Sequence, residues 1–310
     1  MRLAGLTGAV LTLALASGCT NSRSPSVGAT DGPQASPVTA ALTDAIGGIV
    51  AAAKTHPVVA IGEIHRSAAI HSFLRSLLMD PRLPGVIDDI AVEFGASQNQ
   101  GIIDRYVAGK DVPRTELERV WGETSQTSGV WDSPLYEQFF DTVRQVNLGV
   151  PLGSRFRVLL MDTAAPRECP ASAACKTLID RDEHFAQVVE EQSLARGRHS
   201  LLVAGVGHVL RGNGRTPLSV IDRLESFSPG STFVVIPDEG PVLADDVIQR
   251  AVAGWPVPTL SPLAGSIIGG RPSSILHGDM IVTCDHPPCE TPDFPGAIED
   301  VADAYLYLGP

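Results

Sequence analysis

The chain has few basic residues for its size, which limits what it can bind by charge. Its 310 residues include 23 lysines and arginines against 35 aspartates and glutamates, so the formal net charge is −12 at pH 7. An acidic surface is repelled by the phosphates of nucleic acids and by the headgroups of anionic lipids. We therefore expect no nucleic-acid partner, and we expect any contact with a membrane to depend on something other than charge.

The apolar run at the start of the chain is too short to cross a bilayer. Residues 3–16 carry no charge and are mostly apolar, whereas a membrane-spanning helix needs about 20 such residues. The run follows Arg2 and precedes the small residues Ser17 and Gly18, an order that is typical of secretory signal peptides. We predict that residues 1–18 are a signal peptide.

Cys19 completes a motif that resembles the lipobox of bacterial lipoproteins. The motif is Ala16-Ser17-Gly18-Cys19, with alanine where larger aliphatic residues are usual. The resemblance implies that Cys19 carries lipid and anchors the protein to the bacterial cell membrane, outside the cytoplasm; an ordinary secretory signal is the alternative. Residues 19–37 are rich in Ser, Pro, Gly and Ala. We expect them to be a disordered tether before a folded domain over residues 38–310.

Cysteine is scarce, and its spacing is informative. Apart from Cys19, the cysteines form two close pairs, Cys169 with Cys175 and Cys284 with Cys289. In an oxidising compartment such pairs predict disulfides, and each disulfide would close a small loop and add modest stability. The alternative is a metal site formed by Cys284, His286 and Cys289, although only three ligands lie in that cluster.

Predicted strands and helices alternate along the rest of the chain. Runs rich in Val, Leu and Ile predict strands over residues 57–62, 90–94, 156–161, 201–204 and 233–236, with an edge strand over 304–308. Helical patterns cover residues 39–54, 67–79, 97–108, 113–121, 134–147, 176–196 and 217–226. This alternation predicts an α/β fold, with a largely parallel sheet flanked by helices on both faces. Residues 97–147, between the second and third predicted strands, form a helical insertion that is placed to cover one edge of the sheet.

Two Gly-x-x-His motifs, each directly after a predicted strand, are the most informative feature of the chain. They are Gly62-Glu63-Ile64-His65 and Gly205-Val206-Gly207-His208. The carboxyl ends of parallel strands lie at one edge of a sheet, where ligands bind. Glycine allows a sharp turn and a close approach of the ligand to the backbone. We therefore predict that His65 and His208 meet at this edge.

Carboxylates stand at the same ends of the predicted strands. Glu63 follows the first strand, Glu93 ends the second and Asp162 ends the third. A carboxylate is costly to bury unless it is paired or binds something, so a shared site explains the repetition. Structural roles are the alternatives. Glu63 would cap the helix that follows it, and Asp162 would form a turn. Glu93 would pair with a buried arginine such as Arg66 or Arg181.

Several side chains in or between the predicted helices could bind or react with a ligand but are expected to be structural. His71 is predicted to lie at the protein surface. Arg181 and Asp182 belong to a charged helix whose polar face is solvated by default. Trp131 and Tyr136 are expected to pack within the insertion.

The motifs together resemble those of a superfamily that includes erythromycin esterases, Tiki-type proteases and ChaN-type haem-binding lipoproteins. The matching segments are Gly62-Glu63-Ile64-His65, Val92-Glu93-Phe94, Arg181-Asp182 and Gly205-Val206-Gly207-His208. The resemblance extends along most of residues 38–310 and implies that the catalytic residues are His65, Glu63, Glu93 and His208. It implies substrate contacts from Arg66, Gly205, Gly207, Asp162, Arg181 and Asp182.

Two departures from the motifs of this superfamily bear on which of its branches the chain resembles. Ile64 and Arg66 stand where erythromycin esterases usually carry threonine and glycine, so a macrolide pocket is in doubt. ChaN-type proteins hold haem through a tyrosine, which cannot be matched to a particular tyrosine here; the candidates are Tyr106, Tyr136, Tyr305 and Tyr307.

These residues predict one of two functions for a small-molecule site. In a hydrolase acting on an ester, lactone or amide, His65 is the general base and Glu63 or Glu93 orients it. His208 and the amides of residues 205–207 then stabilise the oxyanion. A metal version would bind zinc, manganese or cobalt through His65, Glu93 and His208. The alternative function is ChaN-like binding of haem for uptake, without catalysis. The chain lacks a Gly-x-Ser-x-Gly motif, which argues against a serine hydrolase.

Overall fold

The computed structural model describes residues 43–126, 129–163, 180–212, 218–238, 245–277 and 296–310. The predicted signal peptide, the tether and Cys19 lie outside these residues, and so do the four paired cysteines. The lipid anchor and the disulfides therefore stay predictions. Within the described residues, no helix is long and apolar enough to span a membrane.

Eight strands in the described part of the chain build one sheet that is parallel at its centre. They are β1 (Thr43–Asp44), β2 (Val58–Glu63), β3 (Asp89–Ala96), β4 (Arg157–Asp162), β5 (Ser200–Gly205), β6 (Thr232–Asp238), β7 (Thr259–Pro262) and β8 (Ala304–Tyr307). Their order across the sheet is β1-β7-β8-β6-β2-β5-β3-β4. Only β7 runs antiparallel to its neighbours, β1 and β8. The predicted α/β fold with a largely parallel sheet is confirmed.

Helices cover both faces of this sheet. They are α1 (Ala45–Ala53), α2 (Ala68–Met79), α3 (Gln100–Val107), α4 (Arg114–Leu117), α5 (Arg119–Gly122), α6 (Pro134–Gly149), α7 (Arg181–Gln192), α8 (Val206–Val209), α9 (Val220–Phe227), α10 (Asp246–Val252) and α11 (Ile298–Val301). Side chains alternate along each strand. Val59 and Ile61 of β2 therefore pack with α1, α2 and α6 on one face, whereas Val58 and Ala60 pack with α7, α9 and α10 on the other.

Short polar side chains set where the helices near the site begin. Ser67 caps α2 by accepting a hydrogen bond from the backbone N–H of Ile70, and Asp180 caps α7 in the same way. Ser133 caps α6, and Pro134 follows it at the first helical position, where proline needs no hydrogen-bond partner for its nitrogen. These caps fix where three helices begin, beside the carboxyl ends of the strands.

The predicted elements differ from the structure in three respects. The strand predicted over residues 304–308 was expected at the edge of the sheet, but β8 lies between β6 and β7, and the two edge strands are β1 and β4. The apolar pattern does not reveal β7, α8, α10 or α11, because elements of four to seven residues give too little periodicity. Residues 43–44, predicted as part of a helix, pair with β7 as a strand.

The strand order explains how the two Gly-x-x-His motifs meet. β5 inserts between β2 and β3, so that Glu63 of β2 lies in register with Gly205 of β5. β3, which carries Glu93, flanks β5 on its other side. The helical insertion is present between β3 and β4 and comprises α3 to α6. Four adjacent strands, β2, β5, β3 and β4, thus deliver the predicted residues to one edge.

Candidate active site

Glu63 and His65 form one half of the site at the carboxyl end of β2. The Nδ1 of His65 lies 2.5 Å from Oε2 of Glu63. Burial disfavours the charged form of His65, but the hydrogen bond to Glu63 and the charge of Glu93 outweigh it and raise the pKa of His65. The carboxylate fixes the orientation of the ring. The Nε2 of His65 bonds to no described residue, and the side chain is 30% exposed, so this atom is available to a ligand.

Two further donors hold the buried carboxylate of Glu63. The Nε2 of His71 lies 2.9 Å from Oε1, and the hydroxyl of Tyr136 donates to the same oxygen at 3.2 Å. Burial acts to raise the pKa of Glu63, but the hydrogen bonds from His65 and His71 lower it. Glu63 is therefore an ionised, rigid partner for His65 rather than the cap of a helix.

His71 is not at the surface, and the prediction for this residue was wrong. It is fully buried on the inner face of α2, and Phe94, Tyr136 and Phe139 surround its ring. Its Nδ1 has no hydrogen-bond partner among the described residues, so its Nε2 carries the proton that is donated to Glu63. His71 positions Glu63, and through it His65.

Replacing His71 with leucine is expected to destabilise the folded protein by about 1–3 kcal/mol, because a buried carboxylate loses a donor. It should also raise the pKa of His65 further, since Glu63 then attracts the remaining donors more strongly. Urea denaturation and an NMR titration of His65 measure the two effects. The control is His71→Gln, which keeps a donor. An unchanged titration of His65 in the leucine variant would show that His71 only fills space.

Glu93 lies at the centre of the site and is buried. Its Oε1 is 2.8 Å from Nη2 of Arg181, and its Oε2 accepts a hydrogen bond of 2.6 Å from the backbone N–H of Gly205. Burial acts to raise the pKa of Glu93, but the charges of His208 and Arg181 hold it well below its usual range. Of the two arginines considered from the sequence, Arg181 is the partner. The N–H of Gly205 is occupied by Glu93, so it does not serve as an oxyanion donor here.

A second carboxylate holds Arg181 in place. Asp162 is fully buried, and its two oxygens lie 3.3 Å from Nε and 3.2 Å from Nη2 of Arg181. Asp162 also accepts hydrogen bonds from the hydroxyl of Ser125 at 2.6 Å and from its backbone N–H at 3.2 Å. Burial acts to lower the pKa of Arg181, but Glu93 and Asp162 raise it. Asp162 thus positions Arg181 and is not an isolated turn residue, and the predicted contact between Asp162 and a substrate stays a prediction.

His208 and Asp182 form the second half of the site. The Nδ1 of His208 lies 2.5 Å from Oδ1 of Asp182, which is on α7. Burial acts to lower the pKa of His208, but Asp182 and Glu93 raise it to about 9. The Nε2 of His208 is 3.4 Å from Oε1 of Glu93, longer than an ordinary hydrogen bond of about 2.9 Å. His208 is therefore an imidazolium at neutral pH, with a proton that it can offer to a ligand.

Gly205 separates the two histidines and shows how close they are. A Cβ atom added at Gly205 would lie 3.3 Å from Cε1 of His65, 3.5 Å from Cδ2 of His208 and 3.3 Å from Oε2 of Glu93. A side chain at this position would crowd Glu93 and His65 and would touch His208. Gly205 thus leaves room for both imidazoles to approach the end of β5. Gly207 lies in the short helix α8.

The insertion contributes side chains to the Glu63–His65 half of the site. Trp131 packs edge-on against the ring of His65, with 4.6 Å between the ring centroids. The backbone N–H of Arg66 donates to the hydroxyl of Tyr136 at 3.1 Å, and Nε of Arg66 donates to the carbonyl of Val130 at 3.1 Å. Trp131 and Tyr136, expected only to pack the insertion, therefore also contact the site.

Hydrogen bonds among the site residues occupy atoms that a metal ion would need as ligands. In the described part of the chain, no three His, Cys, Asp or Glu side chains are arranged to hold a metal ion. The oxygens of Glu93 face Arg181 and the N–H of Gly205, and the Nδ1 atoms of His65 and His208 face carboxylates. This arrangement favours acid–base chemistry by the side chains themselves.

The tyrosines give no free hydroxyl at the site for haem. Three of the four are bonded to carboxylates: Tyr106 to Asp141, Tyr136 to Glu63 and Tyr305 to Asp238. Tyr307 is buried in β8. The group at this edge best able to meet a ligand atom is Nε2 of His65.

Several solved structures are similar to this chain at low sequence identity. A Bacillus cereus protein is 11% identical with a TM-score of 0.56, and the match covers 86% of this chain and 92% of that one. The type III effector HopBA1 is 13% identical with a TM-score of 0.45, covering 88% and 98%. ChaN of Campylobacter jejuni, described with cofacial heme binding, is 18% identical with a TM-score of 0.43, covering 63% and 86%. No protein-family model and no curated protein matches the chain.

Proposed function

We propose that this protein is a hydrolase that cleaves an ester, lactone or amide by attack of water. One observation carries this assignment: two histidines, each oriented by its own carboxylate, lie on either side of Gly205. One has a free nitrogen, and the other carries a proton at neutral pH. A base and an acid held at one point are what hydrolysis of an acyl group requires.

His65 is the general base. Glu63 binds its Nδ1 at 2.5 Å and so directs Nε2 away from the carboxylate. In the neutral ring, Nε2 accepts a proton from water as the water attacks the acyl carbon. The imidazolium that forms is stabilised by Glu63, which is ionised because its pKa is lowered. Once the tetrahedral intermediate collapses, the same proton can pass to the leaving oxygen or nitrogen.

His208 is the group that stabilises the oxyanion. Its Nε2 lies 3.4 Å from Oε1 of Glu93, so the Nε2–H is free to donate a hydrogen bond to a substrate oxygen instead. Arg181, whose Nη1 lies 3.4 Å from the same nitrogen, adds positive charge beside it. Donors fixed before the reaction, in a site with little water, stabilise developing charge without reorganisation. Asp162 and Asp182 act through these two cations as positioning residues.

The pKa values of the two histidines define a working range of pH. Hydrolysis needs His65 neutral, so activity is lost as pH falls below the raised pKa of His65. It needs His208 charged, so activity is also lost as pH rises through about 9. Two carboxylates raise the pKa of each histidine, but the positive charge of His208 also acts to lower the pKa of His65, so we propose that His65 titrates below His208. This order leaves a range between the two values in which both groups have the required charge.

A substrate panel tests the assignment. Purified protein is assayed with aryl esters, aryl amides and lactones, each with and without a chelator, and its visible spectrum is recorded after addition of haemin. Turnover that persists in chelator supports the side-chain mechanism, whereas its loss on chelation would select the metal version. No turnover of any substrate, together with a stable haem complex, would replace the hydrolase with the haem-binding function.

The proposed setting is the outer face of a bacterial cell membrane. Its support is the Ala16-Ser17-Gly18-Cys19 motif and the composition of residues 19–37. A lipid on Cys19 would hold the folded domain near the membrane without any need for a basic surface. An enzyme in this place would meet substrates before they enter the cell.

A further inference from the structure

Arg66, directly after the general base, has a backbone conformation that arginine rarely adopts. Its φ is 63°, and it is the only non-glycine residue with a positive φ in the part of the chain that the structure describes. The left-handed region is unfavourable for residues with a Cβ atom. Such residues persist where the surroundings enforce them, and they cluster at functional sites.

The turn around Arg66 does not need an arginine side chain. It is closed by two backbone donors: the N–H of Arg66 to the hydroxyl of Tyr136 at 3.1 Å, and the N–H of Ser67 to the carbonyl of Ile64 at 3.0 Å. Glycine would make both hydrogen bonds without strain. The side chain of Arg66 therefore has a use that the turn itself does not explain.

The guanidinium of Arg66 is held beside the general base with its outer nitrogens free. Its Nε donates to the carbonyl of Val130 at 3.1 Å, and the next residue, Trp131, packs against the ring of His65. Neighbouring residues of the insertion thus fix Arg66 and His65 side by side. Among the described residues, no side chain or carbonyl accepts a hydrogen bond from Nη1 or Nη2 of Arg66, and the residue is exposed.

The other cations of the site are already matched by carboxylates. Arg181 pairs with Glu93 and Asp162, and His208 pairs with Asp182. Within the described residues, no carboxylate forms an ion pair with Arg66. A guanidinium with two free nitrogens binds a carboxylate through parallel hydrogen bonds. Asp132 is nearby, since a Cβ atom at Gly129 would lie 3.3 Å from its Oδ2 and 4.0 Å from Nη2 of Arg66, but the two form no ion pair. The charge of Arg66 is therefore open to an anionic group.

We propose that Arg66 selects substrates that carry a carboxylate within roughly 10 Å of the scissile carbonyl, a span set by two adjacent residues and the length of an arginine side chain. This inference rests on the proposed hydrolase function, and it names the substrate class as acidic esters, lactones or amides. Arg66 binds the carboxylate while His65 directs water to the acyl carbon.

The experiment compares two esters that differ in charge. They are 4-acetoxybenzoate and its neutral counterpart 4-acetoxybenzamide, and the measured quantity is the ratio of their kcat/KM values. Wild-type protein is compared with Arg66→Gly, which relieves the backbone strain, and with Arg66→Gln, which keeps the strain and removes the charge. The expected result is a fall in the ratio by about tenfold in both variants, mainly through KM of the acidic ester.

A matched control separates this effect from a change in overall charge. Arg196 also donates from Nε to a backbone carbonyl, that of Glu191 at 3.1 Å, and it is exposed. It precedes β5 and so lies at the opposite edge of the sheet from the site. Arg196→Gln should leave the ratio as in the wild type. An equal fall in Arg196→Gln would assign the effect to net charge and overturn the inference.

The remaining outcomes also decide the matter. An unchanged ratio in both Arg66 variants, with the esters still hydrolysed, would refute the role of Arg66 and leave the hydrolase standing. A fall in Arg66→Gly alone would assign the effect to the backbone and would refute it too. If the wild type hydrolyses neither ester, the proposed function is decided by the full substrate panel, and the role of Arg66 is decided by binding. Calorimetric binding of the ketone analogues 4-(2-oxopropyl)benzoate and 4-(2-oxopropyl)benzamide then tests Arg66 directly, and equal affinities would refute its role.

Discussion

Replacing His65 with alanine is expected to lower kcat for ester hydrolysis by about a hundredfold or more, because its exposed Nε2 is the proposed acceptor of the proton of water, and the unpaired nitrogen of His71 is fully buried. His208→Ala should lose a similar factor, since the oxyanion loses its charged donor. The double variant should be little worse than either single variant, because the base and the oxyanion donor serve one transition state. Steady-state kinetics on one activated aryl ester measure all three losses.

The histidine variants need a control for folding and for the general loss of an imidazole. Truncation of His65 removes a hydrogen-bond donor from the buried Glu63, so urea denaturation must show that the variant is folded under the assay conditions. His56 precedes β2 at the opposite edge of the sheet and bonds to Thr55 and to the carbonyl of Ala52. His56→Ala should keep wild-type activity. Full activity in a folded His65→Ala protein would refute the hydrolase assignment.

Replacing Glu93 with glutamine is expected to have the largest effect on stability, about 3 kcal/mol, because the change breaks a buried ion pair and leaves Arg181 with one carboxylate. It should also lower the pKa of His208 from about 9, since one of the two carboxylates that raise this pKa is lost. Activity should then decline at a lower pH on the alkaline side. Urea denaturation and a pH–rate profile measure the two effects.

A surface glutamate provides the comparison for Glu93. Glu123 pairs with the exposed Arg119 four residues earlier and accepts a hydrogen bond of 3.0 Å from Asn99, which glutamine can also accept. Exposed ion pairs of this kind contribute less than about 1 kcal/mol. Glu123→Gln should therefore change the free energy of unfolding by less than about 1 kcal/mol. It should leave the alkaline limb of the pH–rate profile unchanged. If Glu93→Gln resembled Glu123→Gln in both measurements, Glu93 would be a spectator and the central ion-pair network would have been misread.

The pattern of the sequence predicts the strands of the sheet better than their order. β2 to β6 follow from apolar runs, because strands buried on both faces need apolar residues throughout. The neighbours of each strand depend on packing between distant segments, so the placement of β5 between β2 and β3 could not be foreseen. The same limit explains why β8 was expected at the edge, although it is paired on both sides.

The site residues likewise divide into those that a local pattern predicts and those that depend on packing between distant segments. Glu63, His65, Glu93 and His208 were predicted because each stands at the carboxyl end of a strand, and the structure brings all four together. The contribution of His71 depends on how α2 packs against the insertion, which no local pattern specifies. A signal was nevertheless present: His71, Leu74 and Leu78 share one helical face, and that face is buried. A histidine on such a face needs a polar partner, and Glu63 supplies it.

The proposed mechanism depends most directly on the charge states of His65 and His208. An NMR titration of ¹⁵N-labelled protein measures them directly, with His65→Ala and His208→Ala used to assign the signals. The expected result is that His208 titrates at about 9, and that His65 titrates above its usual value of 6.5 but below His208. Two titrations close to 6.5 would show that neither histidine is tuned by its carboxylate, and would contradict the assignment of a paired base and acid.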